Sequence, residues 1–528
     1  MSVIKRVVVR RNRYFDSVFL MQAAKRIAGQ LGIRDASAVM GTEANKKLLA
    51  ELGYGSGKTG ELSAAGPNDL VLALEGDEAA VDAVAADPDS WLSRASASFP
   101  GKGTAAAEPR SLREAVALRP DCGVAVISVP GEYAAREARL ALSEGLNVFL
   151  FSSNVSVQDE LALKTEAQKQ GLIVMGPDCG TAFLSGAGIG FANAVRRGPI
   201  GIVGSTGTGM QEFSSLVHQA GSGISHGIGT GSRDLSDAIG GISTMAAIDA
   251  LESDRATKVI AILSKPPGAA TTKRLMDRLL RCAKPVVLCL LGSGAAQSTR
   301  NVHSAATIDA AVNAALEAAG VAVPERLPRQ AESLGEMASG QVSKMRPGQR
   351  YIRGLFAGGT FCYQSQAIFH KAGLVVHSNS PLPGMLDLAD PRESRENTLI
   401  DMGAEEFVEG RPHPMIDATL RRQRLSLEGN DPAVALILLD FILGAISSRD
   451  PVGDLLESVR GVQEAARRRG DHLCVVASVC GTDDDAQGLQ SQVSALAGAG
   501  VCVFSSNAKA AAFCLEVLLL LAQRKEAR

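Results

Sequence analysis

The residues with the clearest potential for chemistry follow a short β-branched run, in the segment Gly201-Ile-Val-Gly204-Ser205-Thr206-Gly207-Thr208-Gly209. A strand that enters a turn rich in glycine and hydroxyl groups and then opens a helix presents free backbone N–H groups at the positive end of the helix dipole. This pattern predicts a phosphate or carboxylate site on the backbone around Ser205, Thr206, Gly207, Thr208 and Gly209. The alternative is a tight turn capped by Ser and Thr, without a ligand.

A second segment repeats this arrangement: Ile352-Arg-Gly-Leu-Phe-Ala-Gly358-Gly359-Thr360 is again a strand that enters a helix through glycines. Two such helix starts could face each other across one anion. Arg233 and Lys265, which follow predicted strands, are candidate cationic partners for it. The alternative for each is a solvated surface charge.

Two familiar nucleotide motifs are not supported. The glycine order G-x-x-G-x-x-G-x-G does not supply the G-x-G-x-x-G dinucleotide pattern. The segment Gly55-Ser-Gly-Lys58-Thr59 carries the last half of a phosphate-binding P-loop, but the first glycine of that motif would fall on Leu52, in a stretch that reads as a helix. We therefore predict neither a nicotinamide enzyme nor a P-loop.

The composition indicates a chain of several globular α/β units. The chain has 528 residues, of which 46% are hydrophobic, and its formal charge of −2 argues against a dedicated nucleic-acid binder. From about residue 120 it alternates short β-branched runs with helical stretches, the rhythm of parallel sheets. Ligands bind at the carboxyl ends of such strands, where the glycine-rich segments lie.

The ends of the chain and its cysteines predict a cytoplasmic protein. The N-terminal apolar run is too short for a signal peptide and is interpreted as an edge strand. The apolar stretch at 510–522 is too short for a membrane span and is interpreted as a buried terminal helix. The 9 cysteines form no Cys-x-x-Cys pair, and the 7 histidines have no metal-ligand spacing, so we predict no metal site.

The motifs resemble those of a known family. Gly176-Pro-Asp178-Cys179-Gly, the segment 200–208 and Gly227-Ile-Gly-Thr-Gly231 are similar to motifs of the succinyl-CoA synthetase α-subunit, and the region from Gly354 is similar to the carboxyl-terminal domain of its β-subunit. The FdrA family resembles the chain more closely and over essentially its whole length. That similarity is carried by Gly131-Glu-Tyr-Ala-Ala135, Met175-Gly-Pro-Asp-Cys-Gly-Thr181, Ser264-Lys-Pro-Pro267 and Gly410-Arg-Pro-His-Pro-Met-Ile-Asp417.

The resemblance implies tandem Rossmann-like and flavodoxin-like parallel-sheet domains of the succinyl-CoA synthetase type. With the composition pattern, it predicts five segments: an N-terminal α/β extension (1–100), a CoA-binding-like Rossmann domain (101–198), a flavodoxin-like domain (199–323), a linker (324–350) and a second flavodoxin-like domain (351–528).

Departures from the synthetase are informative. Its phosphate-carrying histidine loop falls on Val302-His303-Ser304, where the flanking glycines are missing, and its supporting glutamate falls near Lys265, a cation. His303 is therefore either a phosphate carrier or an ordinary loop histidine. The chain has no long segment for an ATP-grasp domain, so we expect no activation of a substrate by ATP in this chain alone.

The FdrA resemblance implies a subunit of an oxamate carbamoyltransferase in ureide (allantoin) breakdown, which converts oxalurate and phosphate to oxamate and carbamoyl phosphate. Such transfer needs a phosphate anchor, oxyanion donors and a cation for a carboxylate. Two alternatives stay open: an acyl-CoA synthetase subunit with a separate ATP-grasp partner, and a non-catalytic anion-binding scaffold. We expect other subunits, in a homo- or hetero-oligomer, and small anionic substrates, with CoA as a further candidate ligand and neither nucleic acid nor membrane as a partner.

The residues that would carry the transfer are Lys265 and Thr208, with His303 a weaker catalytic candidate. Cys179 is a candidate activated thiol or a small buried residue. The phosphate would be held by Ser205, Thr206, Gly207, Thr208, Gly209, Gly358, Gly359 and Thr360. Carboxylates would be held by Lys265, Arg233 or Arg411, and further candidates for the pocket are Asp178, Cys179 and His413, for which structural turn residues are the alternative.

Overall fold

The computed structural model describes residues 3–13, 15, 17–54, 61–91, 109–292, 298–321, 334–409 and 411–526. The chain forms two compact units, one of residues 1–121 with 408–412 and one of residues 122–407 with 413–528. The segment 55–59, in which we predict no P-loop, lies outside the described residues.

The first unit is built on a three-stranded antiparallel sheet of order β1-β3-β2. The predicted N-terminal edge strand is confirmed, since β1 pairs only with β3 in the described sheet. The central strand supplies the core, in which residues 70–74 are fully buried. The elements are β1 (Val3–Arg10), α1 (Ser17–Ala28), β2 (Ile33–Met40), α2 (Glu43–Leu49), α3 (Glu61–Ala64), β3 (Leu70–Asp77), α4 (Glu78–Ala86) and α5 (Leu112–Leu118).

The second unit begins with a small parallel sheet of order β4-β5-β6. The predicted strands and helices are confirmed here within about two residues. Gly171 ends α7 with a φ of 69°, a conformation that glycine adopts without steric cost. The elements are β4 (Val124–Ile127), α6 (Gly131–Ser143), β5 (Asn147–Leu150), α7 (Val157–Gln170) and β6 (Val174–Met175).

A seven-stranded sheet of order β13-β12-β11-β9-β10-β7-β8 follows. Strands β9 to β13 are parallel, as predicted, but β7 and β8 form an antiparallel hairpin on the same sheet. This hairpin falls within the segment 101–198 that the sequence assigns to the Rossmann-like domain. The elements are β7 (Thr181–Leu184), β8 (Ala187–Gly190), β9 (Arg197–Gly204), α8 (Gly207–Gln219), β10 (Ile224–Gly229), α9 (Ile242–Ser253), β11 (Val259–Ser264), α10 (Ala269–Leu279), β12 (Val286–Leu290), β13 (Val302–Ala305) and α11 (Ile308–Ala318).

The last sheet is parallel throughout, in the order β16-β15-β17-β14-β18-β19-β20. All nine residues of β18 are buried, as expected for an inner strand covered on both faces. The elements are α12 (Leu334–Val342), β14 (Tyr351–Phe356), α13 (Gly359–Lys371), β15 (His377–Ser378), β16 (Leu386–Asp387), β17 (Thr398–Asp401), α14 (Glu405–Val408), α15 (Thr419–Asn430), β18 (Val434–Ile442), α16 (Gly453–Arg468), β19 (Cys474–Cys480), α17 (Leu489–Gly498), β20 (Cys502–Phe504) and α18 (Asn507–Glu526).

The second half of the segment 324–350, which we interpret as a linker, contains helix α12. This helix packs against α18, where Arg524 Nη1 donates to the carbonyls of Val342 (3.1 Å) and Met345 (2.9 Å). The predicted buried terminal helix is confirmed as α18. No helix in the described residues is both long enough and apolar enough to cross a membrane.

A buried polar network joins the two seven-stranded sheets. Asn193 Nδ2 donates to the Leu443 carbonyl (3.0 Å) and to Asp485 Oδ2 (2.9 Å), and Gln211 Nε2, on α8, donates to Asn193 Oδ1 (3.1 Å). Because unsatisfied buried polar groups are costly, this network specifies one placement of α8 against the last sheet.

A buried ion cluster fixes the Rossmann-like segment to the loop that follows β10 of the first seven-stranded sheet. Lys164 Nζ donates to Glu160 Oε1 (2.8 Å), Asp234 Oδ1 (2.8 Å) and the Thr230 carbonyl (2.9 Å). The three charged side chains are at most 1% exposed. All three ammonium protons are used, so the cluster is fully paired.

We predict that Lys164→Met destabilises the second unit by about 3–5 kcal/mol, because the buried Asp234 carboxylate loses its cation and the buried Glu160 keeps only Arg233. Lys169→Met is the matched control: it lies on the same helix and is exposed. Urea unfolding followed by circular dichroism measures both. Equal unfolding midpoints for Lys164→Met and the wild type would contradict the role of the cluster.

Candidate functional site

The starts of α8 and α13 face each other, as the sequence predicts. The Thr206 and Thr360 hydroxyls are hydrogen-bonded across the gap. A methyl group on Gly358 would lie 3.1 Å from Thr208 Cγ2, so the two turns are in close contact. Two positive dipole ends therefore meet at one place, which favours an anion between them. The anion itself stays a prediction.

One turn into each helix, a second contact holds the pair together. Gln364 Nε2 of α13 donates to Glu212 Oε2 of α8 (3.4 Å), and the N–H of Asn507 donates to Glu212 Oε1 (2.7 Å). Glu212 is 2% exposed, and burial raises its pKa to about 8. The buried carboxyl group thus joins α8, α13 and the start of α18.

The set of backbone N–H groups open to an anion is smaller than predicted. The Ser205 N–H donates to the Leu263 carbonyl (3.1 Å), and the Gly358 N–H donates to Asp440 Oδ2 (2.7 Å), so neither is free. Within the described part of the chain, no hydrogen bond is formed by the N–H groups of Gly207, Thr208, Gly209, Gly359 and Thr360. These are the groups that could hold a phosphate.

Asp440, to which the sequence analysis assigned no role, shapes the turn before α13. Its carboxylate accepts the N–H of Ala357 (2.8 Å) as well as that of Gly358, and Arg421 Nη2 donates to its Oδ1 (2.9 Å). Burial raises the pKa of Asp440, while Arg421 and the two N–H groups oppose that rise. In the sequence, Asp440 is recognisable only as one acidic residue inside an otherwise apolar strand.

Asp401 was also missed. It is the last residue of β17, is 7% exposed, and accepts the Gly403 N–H at Oδ1 (3.0 Å). A methyl group on Gly359 would lie 2.3 Å from its Oδ2, so this oxygen stands against the start of α13. Burial raises the pKa of Asp401 to about 6, against the lowering effect of Lys265. A strand-end carboxylate was the signal for it.

Lys265 lies in the same region, as predicted. Its Nζ is 5.1 Å from the centre of the Tyr363 ring on α13, and its charge lowers the pKa of both Asp401 and Asp178. Lys265 is therefore a cation available to a small anionic substrate near the two helix starts.

Asp178 borders this region, whereas Arg233 is already engaged. Asp178 is solvent-accessible and accepts the Ser232 hydroxyl at Oδ2 (3.2 Å). Partial desolvation by the surrounding protein raises the pKa of its carboxyl group. Arg233 Nε donates to Glu160 Oε2 (3.0 Å), and its Nη2 donates to the Val155 carbonyl (2.7 Å). These Arg233 donors are therefore not free to bind an anion. They stabilise the ion cluster instead.

Cys179 is a core residue. It is 3% exposed, its Sγ donates to the Thr181 carbonyl (3.6 Å), and burial raises its pKa to about 12. Of the two interpretations of Cys179, the structure therefore favours the small buried residue over the activated thiol. Thr181 provides a contact that the sequence analysis missed: its buried hydroxyl has no partner in the described residues, and a methyl group on Gly207 would lie 3.2 Å from it.

The remaining candidates are placed in different surroundings. His303 is exposed within the edge strand β13, not in a loop as we expected. His413 is half-buried 5.7 Å from the Phe191 ring, and burial lowers its pKa to about 4, so it is neutral at pH 7. Arg411 is exposed in the segment that groups with the first compact unit.

The inert character of Cys179 generates a prediction. Iodoacetamide at pH 7.5 should modify Cys122, which is exposed, and leave Cys179 unmodified until the protein is denatured, because the thiolate is the reactive form. Peptide mass spectrometry measures both sites in one sample. Equal modification of the two in the native protein would contradict the burial of Cys179.

Family models match three parts of the chain. Residues 1–109 match "AllF, heavy metal-associated domain", residues 197–332 match "Succinyl-CoA ligase like flavodoxin domain", and residues 355–517 match "CoA-ligase". The first name implies a metal, but residues 1–109 contain no Cys and no His, the ligands that soft metal ions prefer. The described residues contain no group of three or more potential metal ligands either. Residues 1–109 therefore do not fit a heavy metal.

Relatives extend the comparison. The chain is 41% identical over 507 residues to uncharacterized protein YahF of Escherichia coli, covering 95% of this chain and 96% of that one. It is 26% identical to the mitochondrial succinate–CoA ligase [ADP-forming] subunit alpha-2 of Trichomonas vaginalis, covering 45% and 78% respectively.

A solved structure, the dinucleotide-forming acetyl-coenzyme A synthetase 1 of Ca. Korarchaeum cryptofilum, aligns at 17% identity over 76% of this chain and 83% of its own, with a TM-score of 0.28. The full-length relative and the order of the matched domains confirm the family that the motifs indicate. The chain belongs to the FdrA family, in which an AllF-type N-terminal domain precedes succinyl-CoA ligase-like domains.

Proposed function

We propose that this chain is a subunit of a carbamoyl-transfer enzyme that converts oxalurate and phosphate to oxamate and carbamoyl phosphate. The observation that carries the proposal is the pair of facing helix starts, whose free N–H groups suit a tetrahedral dianion. Lys265 and the carboxylates of Asp401 and Asp178 lie beside them. A substrate that has both a carboxylate and N–H groups finds a cation for the first and acceptors for the second. The FdrA resemblance supplies the ureide class of substrate.

In this reaction a phosphate oxygen attacks the carbamoyl carbon of oxalurate, and the bond from that carbon to the oxamate nitrogen breaks. The helix starts hold the phosphate in position for attack, and Lys265 holds the oxamate carboxylate. Positioning two anions side by side is the main requirement, since like charges keep them apart in water. No nucleotide is needed, because carbamoyl phosphate conserves the transferred group in an activated form.

Direct transfer between bound substrates fits this chain better than a phosphohistidine. His303 is exposed on an edge strand, and the described part of the chain brings no other histidine to the helix starts except His413, whose Nδ1 already accepts the Met415 N–H (3.3 Å). The carboxylates Asp401 and Asp178 stand in this region instead.

An acyl-CoA synthetase subunit is the second candidate, favoured by the "CoA-ligase" match at 355–517. The Rossmann-like domain gives little support for the diphosphate of CoA. A methyl group on Gly131, at the start of α6, would lie 2.2 Å from the Ser153 carbonyl, so backbone closes this helix start. The start of α7 is already capped by Ser156, which accepts the Asp159 N–H, and it carries the acidic Asp159 in its first turn, which disfavours an anion there.

The reaction itself is tested by incubating the chain, assembled with its partner subunits, with oxalurate and phosphate. We expect carbamoyl phosphate and oxamate in equal amounts, and no product when phosphate is omitted. Formation of a CoA thioester on addition of an ATP-grasp subunit, without phosphorolysis of oxalurate, would favour the synthetase instead. Anion binding without any effect of Lys265→Ala on the assembled enzyme would favour the scaffold.

The anion site is tested separately by a charge at the start of α8. We predict that Thr208→Glu weakens phosphate binding about ten-fold or more, because a carboxylate next to a bound dianion repels it. The same change should leave the helix as stable or stabilise it by about 0.3–1 kcal/mol, because an acidic side chain complements the helix dipole.

Isothermal titration calorimetry and thermal unfolding measure the two effects. Thr208→Gln is the matched control of equal size without charge, and it should weaken binding less than Thr208→Glu. Unchanged phosphate affinity in Thr208→Glu would place the anion elsewhere.

A further inference from the structure

Asp401, beside the facing helix starts, has one carboxylate oxygen without a hydrogen-bond partner in the described residues. Its Oδ1 accepts the Gly403 N–H, but no hydrogen bond to its Oδ2 is formed within the described residues. That oxygen stands against Gly359, the first residue of α13. Asp401 is more than nine-tenths buried, and its free oxygen lies beside the backbone at the start of α13, where the Gly359 and Thr360 N–H groups could hold an anion.

The backbone of Asp401 is held rigidly. Asn379 accepts the Asp401 N–H at Oδ1 (2.9 Å) and donates from Nδ2 to the Asp401 carbonyl (2.9 Å). This pairing uses both the N–H and the carbonyl of Asp401 and so fixes the end of β17. The carboxylate is therefore a positioned group, as a proton-transfer residue requires.

Charged groups of both signs face Asp401 from the elements around it. Lys265 follows β11 and lowers its pKa, while Asp440 on β18 and Glu406 on α14 raise it. The ring of His413 is close as well: a methyl group on Gly403 would lie 2.8 Å from His413 Nε2 and 3.3 Å from Asp401 Oδ1. His413 has a pKa lowered to about 4 and is neutral at pH 7, whereas the pKa of Asp401, raised to about 6, lies close to neutrality.

Resting on the proposed function, we infer that Asp401 is a catalytic residue that carries the proton from the attacking phosphate to the departing nitrogen of oxamate. The Oδ2 atom takes the proton of HPO₄²⁻ as a phosphate oxygen bonds to the carbamoyl carbon. As the carbon–nitrogen bond breaks, the same proton passes to the amide nitrogen. The products are carbamoyl phosphate and oxamate, and Asp401 returns to its carboxylate form.

The neighbouring carboxylates suit this role less well. Both oxygens of Asp440 accept backbone N–H groups, and its Oδ1 also accepts Arg421, so three donors already stabilise its ionised form. Asp178 is open to water, where a proton would exchange with solvent. Asp401 alone among the three combines burial with a free oxygen at the helix starts.

The first experiment measures proton uptake when a dianion binds to the full chain. Sulfate is the probe because, unlike phosphate, it does not titrate near pH 7. Asp401 is mostly ionised at pH 7 before binding. Sulfate, unlike HPO₄²⁻, brings no proton that Asp401 could accept, and its charge raises the pKa of Asp401, so Asp401 should take up a proton from solvent instead. Calorimetric titration in two buffers of different ionisation enthalpy gives the number of protons taken up for each sulfate bound.

We expect about half to one proton for each sulfate in the wild type, from the shift of a single carboxyl group. In Asp401→Asn the uptake should vanish while sulfate still binds. The matched control is Asp387→Asn, the same change at an exposed strand residue of the same sheet, which should retain the uptake.

Binding without proton uptake in the wild type, or equal uptake in Asp401→Asn, would overturn the role of Asp401 and leave the anion site intact. No sulfate binding by the wild type would overturn the anion site, and the assignment of Asp401 with it. The two failures are therefore distinguishable.

Turnover provides the second readout. In the assembled enzyme, Asp401→Asn should lower kcat for phosphorolysis by about 10²–10⁴-fold, the range for loss of a general acid–base, with little change in KM for phosphate. The pH dependence that belongs to Asp401 should also disappear from kcat. Wild-type kcat in Asp401→Asn would overturn the inference while carbamoyl transfer stands.

Discussion

The meeting of two helix starts is the constraint on which the rest of the second unit depends. Two positive dipole ends repel each other, so α8 and α13 need other interactions to hold them face to face. The Thr206–Thr360 hydroxyl pair lies at the contact, and the Gln364–Glu212 bond lies one turn behind it. Buried polar groups of the network around Asn193 then join the two sheets that carry these helices. An anion between the starts would relieve the remaining repulsion.

The same constraint explains where charges are used. Asp440 neutralises part of the positive end of α13 by accepting two backbone N–H groups, and Arg421 balances it from behind. Arg233, which could have served as an anion ligand, is instead paired with Glu160 in the ion cluster. Lys265 is a cation that lies near the two helix starts. A site made chiefly of backbone N–H groups needs few cations, which agrees with the near-zero net charge.

The AllF-type domain and the synthetase-like domains raise different chemical questions. The name of the first implies heavy metals, yet residues 1–109 lack Cys and His, so the match describes a fold and not a metal site. In the synthetase-like domains, the sequence comparison places the histidine of the resembling enzyme at His303, which is exposed, and its glutamate near Lys265. The carboxylate of Asp401, at the end of β17, stands beside the start of α13.

The sequence by itself determined the α/β class, most of the parallel strands and the two glycine-rich helix starts, because hydrophobic periodicity and local turn chemistry are encoded within a few residues. Tertiary structure decided which groups meet. The hairpin at 181–190 joins a sheet formed later in the chain, the Gly358 N–H is taken by a residue 82 positions away, and Cys179 is turned into the core. Asp401 gains its importance only because β17 ends beside α13, a juxtaposition that no local pattern contains.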